Sequence, residues 1–465
     1  MSTYKTPDVY IKEVPFFASS VAQVETAVPA FIGLVEKAYD NDGKETTPSA
    51  SNVCVRRITS LLEYIQYFGQ AKNITATVTK DAISANLSFV ATTGHLYAMY
   101  YAINNYFANG GGAAYIIAVG TYADTDVKTK KEQIDKGLAA IEKIDEVTLL
   151  LCPDAAQFED KTIYYDSFAV PALRQAEKLQ DRFVLIDVIH DKEVAASAVN
   201  LREKVPAHSS LKYGAAYYPK LKTTLAYPYA DKEIKLEGFA YGTAPDKVVT
   251  LDALKLVNDA EYAQVKAFLT QKTVSLPPSA AIAGVYAQTD AARGVWKAPA
   301  NVALAQVIGP EVLITNDDQG SLNVDPVAGK SINAIRAFTG KGTLVWGART
   351  LMGNDNEWRY INVRRLFNTV EESIKKATYF AVFEPNTPMT WLKVKSMIES
   401  YLRGMWLDGA LFGESTEQAF YVNIGLNQTM TEDDINNGLM KVKIGLAAVR
   451  PAEFIELSFS HKTIS

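Results

Sequence analysis

The residue types that could do chemistry are few and widely spaced. Four histidines, His95, His190, His208 and His461, are scattered along the chain, and no two stand at the helical interval that lets imidazoles share a metal. Ala328-Gly-Lys-Ser331 suggests a phosphate-binding loop, but Val324 stands where that loop needs a glycine five residues before Gly329. Gly110-Gly-Gly112 precedes an apolar run instead of following a strand and opening a helix, so it reads as a turn and not a dinucleotide fingerprint. Gly413-Glu-Ser-Thr-Glu417 lacks the closing glycine of a nucleophile elbow. The carboxylate pairs Asp317-Asp318, Glu371-Glu372 and Asp433-Asp434 fall in turns or at helix starts, where solvation and the helix dipole account for them. Cys54 and Cys152 form no CxxC motif, and burial accounts for them. The expectation is no catalytic, metal or cofactor-binding residue and no cofactor.

Composition points the same way. With 465 residues, 48% apolar and 21% charged, the chain can bury large cores as two or three domains. A formal net charge of −5 without dense Lys/Arg runs argues against nucleic acid and membrane surfaces as partners. The first residues lack a secretory pattern, which leads to an expectation of synthesis in the cytoplasm.

The elements follow from periodicity. Residues 1–20 read as an extended arm, with Val9 and Ile11 on one face and Tyr10 and Lys12 on the other. Ala27–Val35 reads as a buried strand, Asp40–Ser51 as a loop and Ile58–Phe68 as a helix. An α/β rhythm then sets in: strand Ala113–Val119, helix Lys131–Lys143, strand Val147–Leu151, helix Ser167–Leu179 and strand Phe183–Asp187. Tyr213–Tyr218 and Ala280–Val285 read as further strands, with Leu221–Val274 as a peripheral insertion. After a strand at Leu344–Gly347 come two long amphipathic helices. One spans Ile361–Phe380; the other starts at Pro388 with Thr387 as cap and is stopped by Gly413. Strands are expected at Phe420–Leu426, Lys441–Val449 and Glu453–Ser460, the last with Ile455, Leu457 and Phe459 on one face.

The text of the chain resembles the phage tail sheath family, which includes the sheaths of bacterial contractile injection systems. The resemblance starts with Tyr4-Lys-Thr-Pro-Asp-Val-Tyr-Ile-Lys-Glu13 and Val24–Gly33 and continues through Asp181–Asp187 and Tyr213–Pro219. It is most specific over Pro277–Asp290 and Arg293–Asn301. It proceeds through Leu322-Asn323, Ile332–Arg336, Trp346–Thr350, Trp358–Leu366, Phe383–Asn386 and Gly409–Gly413 to Val449–Ile455. Residues 40–90 and 221–275 do not match, and Asp8 replaces the family's usual glycine.

The resemblance implies a single-chain sheath subunit of α/β fold (α+β overall). Its expected parts are an N-terminal linking arm (1–20), an outer α/β domain with a mostly parallel sheet (21–340), an inner two-helix and β-sheet domain facing the tube (341–449), and a C-terminal strand arm (450–465). Such a subunit polymerises as stacked rings of itself around an inner tube protein, between baseplate and cap proteins, without nucleic acid or membrane insertion. It would assemble in the cytoplasm as part of a tail or tail-like particle. Its arms, through Val9, Tyr10, Ile11, Ile455, Leu457 and Phe459, would complete the inner sheets of neighbours; burying the last three contributes on the order of 5 to 9 kcal/mol before ordering costs. Lys375, Lys376, Lys393, Lys395, Glu399 and Arg403 are the candidate tube-facing charges. Arg364 and Arg365 lie in a matching block and are equally suited to pairing acids within the fold. The alternatives are a non-contractile cap or baseplate-proximal paralogue, and an α/β enzyme.

Overall fold

The computed structural model describes residues 21–40, 42–93, 97–123, 127–158, 162–239 and 249–457. Val9, Tyr10, Ile11, His95, Phe459 and His461 lie outside them. Two compact units are present: Glu25–Thr369 with residues 450–457, and Val370–Val449 with residues 21–24. The change from one unit to the other falls inside the Ile361–Thr378 helix.

The larger unit is built on a nine-stranded sheet. Its order is Val302–Ala303, Gly342–Trp346, Ile332–Phe338, Gly214–Tyr218, Phe183–Asp187, Leu149–Leu151, Pro29–Val35, Ala114–Thr121 and Cys54–Ile58. The six strands from Ile332–Phe338 to Ala114–Thr121 are parallel, and the flanking strands are antiparallel. Period-two alternation sorts the side chains between two cores. Ala30, Ile32, Leu34, Val184 and Ile186 face one, while Phe31, Val35, Phe183 and Leu185 face the other. Both faces are apolar because helices cover both.

One face carries the Val127–Ile141 helix, a π-turn at Ile163–Ala169 and the Val170–Leu179 helix that continues it. The other carries Leu61–Phe68, Met99–Ala108 and Ser279–Arg293. The last corrects the strand expected at Ala280–Val285. A short apolar run does not distinguish a strand from a helix buried all round, and here every residue from Ser279 to Tyr286 is buried. The alanines supply helix propensity, and Gly284 lets the two helices approach: a Cβ there would lie 2.6 Å from the Tyr106 carbonyl oxygen.

The two segments outside the resembling blocks join each other. Ile234–Glu237 pairs in parallel with Thr75–Lys80, which pairs antiparallel with Leu87–Thr93. Helices Leu251–Val257 and Asp259–Thr270 close over this small sheet, and Ile74, Val78, Ile234, Leu236, Leu254 and Val265 form its separate core.

In the second unit, Pro388–Leu407 forms the second long helix, with Thr387 at the N-cap and Pro388 at the first position. Val394, Met397, Ile398, Leu402 and Met405 are its buried stripe. It ends at Leu407, before the expected Gly413, because Gly409 turns the chain with φ +85°, a conformation that favours glycine. Phe420–Asn423 and Lys443–Leu446 form an antiparallel two-stranded ribbon, shorter than the strands expected there.

Candidate functional site

The C-terminal segment stays paired beyond the ribbon as far as Val449, whose N–H donates to the Ala410 carbonyl, and turns through Pro451, which has no N–H to offer a ladder. The strand expected at Glu453–Ser460 does not form over its described part. Residues 451–457 pair with no strand, and Phe454, Ile455 and Leu457 are 76%, 78% and 72% exposed. A strand pattern without a ladder partner stays extended and solvated. The ribbon has open edges too: among the described residues its ladder has two strands, prolonged by one bridge from Leu411 to Ala448.

Glu453 is the exception in this exposed segment. Its Oε1 accepts from Arg349 Nε at 2.9 Å and Asn323 Nδ2 at 2.8 Å, and its Oε2 from Arg349 Nη2 at 2.7 Å and the Tyr360 hydroxyl at 3.2 Å. Burial works to raise the Glu453 carboxyl, but these bonds outweigh it and hold the group below its usual range. Arg349 is buried and also donates to the carbonyls of Asn323 and Gly353. Its own backbone is pinned: Asn333 on the central sheet accepts from the Arg349 N–H and donates to the Arg349 carbonyl, both at 2.8 Å.

Near the other terminus, Thr26 is held by a second buried pair. Arg365 donates to both oxygens of Asp290 and to the Thr26 carbonyl, while the Thr26 hydroxyl donates to Asp290 at 2.6 Å. The Arg365 guanidinium lies 4.5 Å from the Tyr286 ring centroid. Arg364 donates to Asn368 and packs on the Trp358 and Tyr213 rings. Of the two roles open to these arginines in the sequence, Arg365 takes the pairing of an acid within the fold.

The six candidate charges occupy the two long helices. Lys375 and Lys376 lie 3.0 and 3.5 Å from Glu372, and Lys395 lies 3.7 Å from Glu399. Lys393 sits over the Phe380 ring, and Arg403 is exposed; the Glu417 carboxyl is held low by hydrogen bonds from its own backbone and from Ser415 and Thr416, with the Arg403 charge a lesser cause. Tyr379, Val382 and Phe383 between the helices, and Met389 and Leu392 in the first turns of the second, are exposed apolar residues that hydrophobic periodicity alone did not flag.

Several of the residues of chemically versatile type serve the fold. Lys330 donates to the carbonyls of Arg202 and Val205, and Ser331 to that of Asn323, so the lysine of the apparent phosphate loop is buried and occupied. His190 Nδ1 lies 2.8 Å from the Tyr218 hydroxyl, and His208 caps the turn at Ser209–Tyr213. Asp318 and Asp434 close capping boxes with Thr315 and Thr431. Burial raises the Cys152 thiol. Among the described residues no cluster of His, Cys, Asp or Glu could hold a metal, and no helix is long and apolar enough to cross a membrane.

Two buried carboxylates were missed in the sequence. Asp154 and Asp187 follow or end parallel strands, and burial pushes both up to about 7 despite their hydrogen bonds. Each occupies the start of a helix without a cap of its own. Asp154 accepts from the N–H groups of Ala98, Met99 and Leu34, and Asp187 from the N–H and hydroxyl of Ser279. Strand-end acids can serve catalysis, but here the geometry spends their oxygens on backbone donors.

The phage tail sheath C-terminal domain family matches residues 353–461. The tail sheath protein of Vibrio phage KVP40 is 32% identical over 127 residues, which are 27% of this chain and 19% of that protein; the chain thus aligns with about a fifth of that curated relative's length. The sheath complex of the PVC extracellular contractile injection system in its contracted state is 32% identical, covers 99% of each chain and superposes with a TM-score of 0.64. A chain of the anti-feeding prophage baseplate in its contracted state is 28% identical over 98% of this chain and 99% of its own, with a TM-score of 0.70.

Proposed function

As the chain belongs to the phage tail sheath family, we propose that it is a structural subunit of a contractile sheath, polymerising helically around an inner tube and contracting to drive that tube through a target envelope. The observation that carries this is the end-to-end likeness, at 32% identity, to a sheath subunit from a contracted particle. The unpartnered segment at Phe454–Leu457 and the open two-stranded ribbon supply complementary halves of an intersubunit sheet. Residues 1–20, with Val9, Tyr10 and Ile11, act as the other linking arm, and Ile455, Leu457 and Phe459 engage a neighbouring copy. The subunit works without a catalytic centre; contraction draws on new contacts between compact units joined by extended links, not on nucleotide. Baseplate and cap proteins bound the assembly, which forms in the cytoplasm.

Negative-stain electron microscopy of the full chain beside one lacking residues 1–20 tests this. Ridged tubes or rings from the intact chain and dispersed particles from the truncated one support it. Dispersed intact chain even when co-expressed with the tube protein overturns it. The likeness to a chain of a baseplate structure favours one alternative, a ring beside the baseplate; antibody labelling along whole particles, as opposed to one end, separates the two.

In the second unit, Lys375, Lys376, Lys393, Lys395, Glu399 and Arg403 face the tube in this proposal. Exposed pairs contribute about 0 to 1 kcal/mol each and suit a contact that must release. Lys393→Glu with Arg403→Glu is expected to lower tube co-sedimentation at low salt and to lose that effect at high salt; unchanged binding at low salt removes these two from the interface.

A further inference from the structure

We propose that Glu453 is the fixed root of the C-terminal arm: Arg349, Tyr360 and Asn323 hitch it to the α/β unit, so that only residues from Phe454 onward are free to reach a neighbouring copy. This rests on the sheath reading above. Glu453 is the one residue among the described 451–457 with side-chain hydrogen bonds, and its partners come from three separate stretches of the chain. Backbone bonds with Ala419, Phe412 and Ala410 hold the chain as far as Val449, so a fixed root removes residues 450–453 from the arm's slack, roughly 13 Å of extended chain.

The hitch also gives pulling force a path into the sheet. Arg349 bonds Glu453 through its fork, which resists rotation as a single contact does not. Its backbone bonds reciprocally to Asn333, and the Asn333 amide also donates to the carbonyl of Ala216 on the adjacent parallel strand. Load entering at Glu453 therefore reaches two central strands in two side-chain steps. The alternative, load borne by the ribbon, would peel the Lys443–Leu446 ladder and the bonds that prolong it to Val449 one after another from their end.

The test uses the full chain, co-expressed with its tube protein if it stays dispersed alone, and compares wild type, Glu453→Ala and a deletion of 454–465. Glu453→Ala is expected to leave the unfolding midpoint unchanged and to raise the concentration needed for assembly at least 10-fold, with amide exchange at residues 449–453 faster than in wild type. The deletion is expected to abolish assembly. Assembly of Glu453→Ala at the wild-type concentration, with the deletion inactive, overturns the hitch and leaves the sheath reading standing. A deletion that assembles like wild type overturns the arm itself. If Glu453→Ala lowers the midpoint, Glu453→Gln, which keeps an acceptor and loses the charge, carries the same two outcomes.

Discussion

Asp187 shows how one carboxylate can be mistaken for chemistry and what it does instead. It ends a parallel strand, is buried and is raised to about 7. Between the ordinary aspartate value of about 4 and that figure the folded chain holds a proton that the unfolded chain has lost. Its contribution to stability is therefore full below about pH 4 and declines as pH rises through 7. Asp187→Asn keeps an acceptor for the Ser279 N–H and a donor for its hydroxyl. Urea unfolding of the dispersed variant is expected to lose part of the decline seen in wild type between pH 5 and 8 and to stay within about 1 kcal/mol of it at pH 8. Asp187→Ala, which leaves the helix start unsatisfied, is expected to cost about 2 kcal/mol or more; equal losses for both variants would refute the capping role. Nothing in the local sequence marks Asp187, because the helix it caps begins 92 residues later.

At the scale of elements, two opposing effects meet at Gly284. Replacing a helical glycine by alanine stabilises an isolated helix by about 1 kcal/mol. A Cβ here would instead press on the Tyr106 carbonyl at 2.6 Å and on Asn109 Cβ at 2.8 Å, and overpacking of this kind costs about 1 to 3 kcal/mol. Backbone atoms cannot swing aside, so Gly284→Ala is expected to lower the thermal midpoint read by far-UV circular dichroism; a raised midpoint would mean that the helices part freely. This close approach explains why the segment was misread: its two-sided burial erases the 3.6-residue period that distinguishes Ile361–Thr378. The parallel strands were legible because apolar runs bounded by helical periods admit few other readings. The expected strand at Glu453 fails for the opposite reason, since its alternation is real but its partner is missing from this chain's described residues. The hitch itself was unreadable: Arg349 and Glu453 lie 104 positions apart.

The whole molecule combines elements fixed locally with contacts that only distant segments can make. The parallel sheet and the helices on one of its faces could be anticipated from rhythm, whereas on the other face only Leu61–Phe68 could, Met99–Ala108 and Ser279–Arg293 being too uniformly buried to show a period. The proposed linking segment at residues 454–457 was legible only as an alternation, since no strand pairs with it among the described residues. Breaking the buried Arg349–Glu453 pair by removing one member typically costs about 3 to 5 kcal/mol where the survivor stays buried. Arg349 has carbonyl acceptors left and Glu453 sits on a solvated arm, so removing Glu453 should fall well below that range and spare the fold.

The small sheet and the helices over it, made from residues 74–93, 227–239 and 249–269, behave as a cassette whose two halves lie far apart in the gene. Either half alone would carry an apolar strand face into water, Val78 and Phe89 in one and Ile234 and Leu236 in the other. Natural gain or loss of this cassette must therefore involve both segments together, and an engineer who wishes to replace it needs two coordinated cuts in the chain.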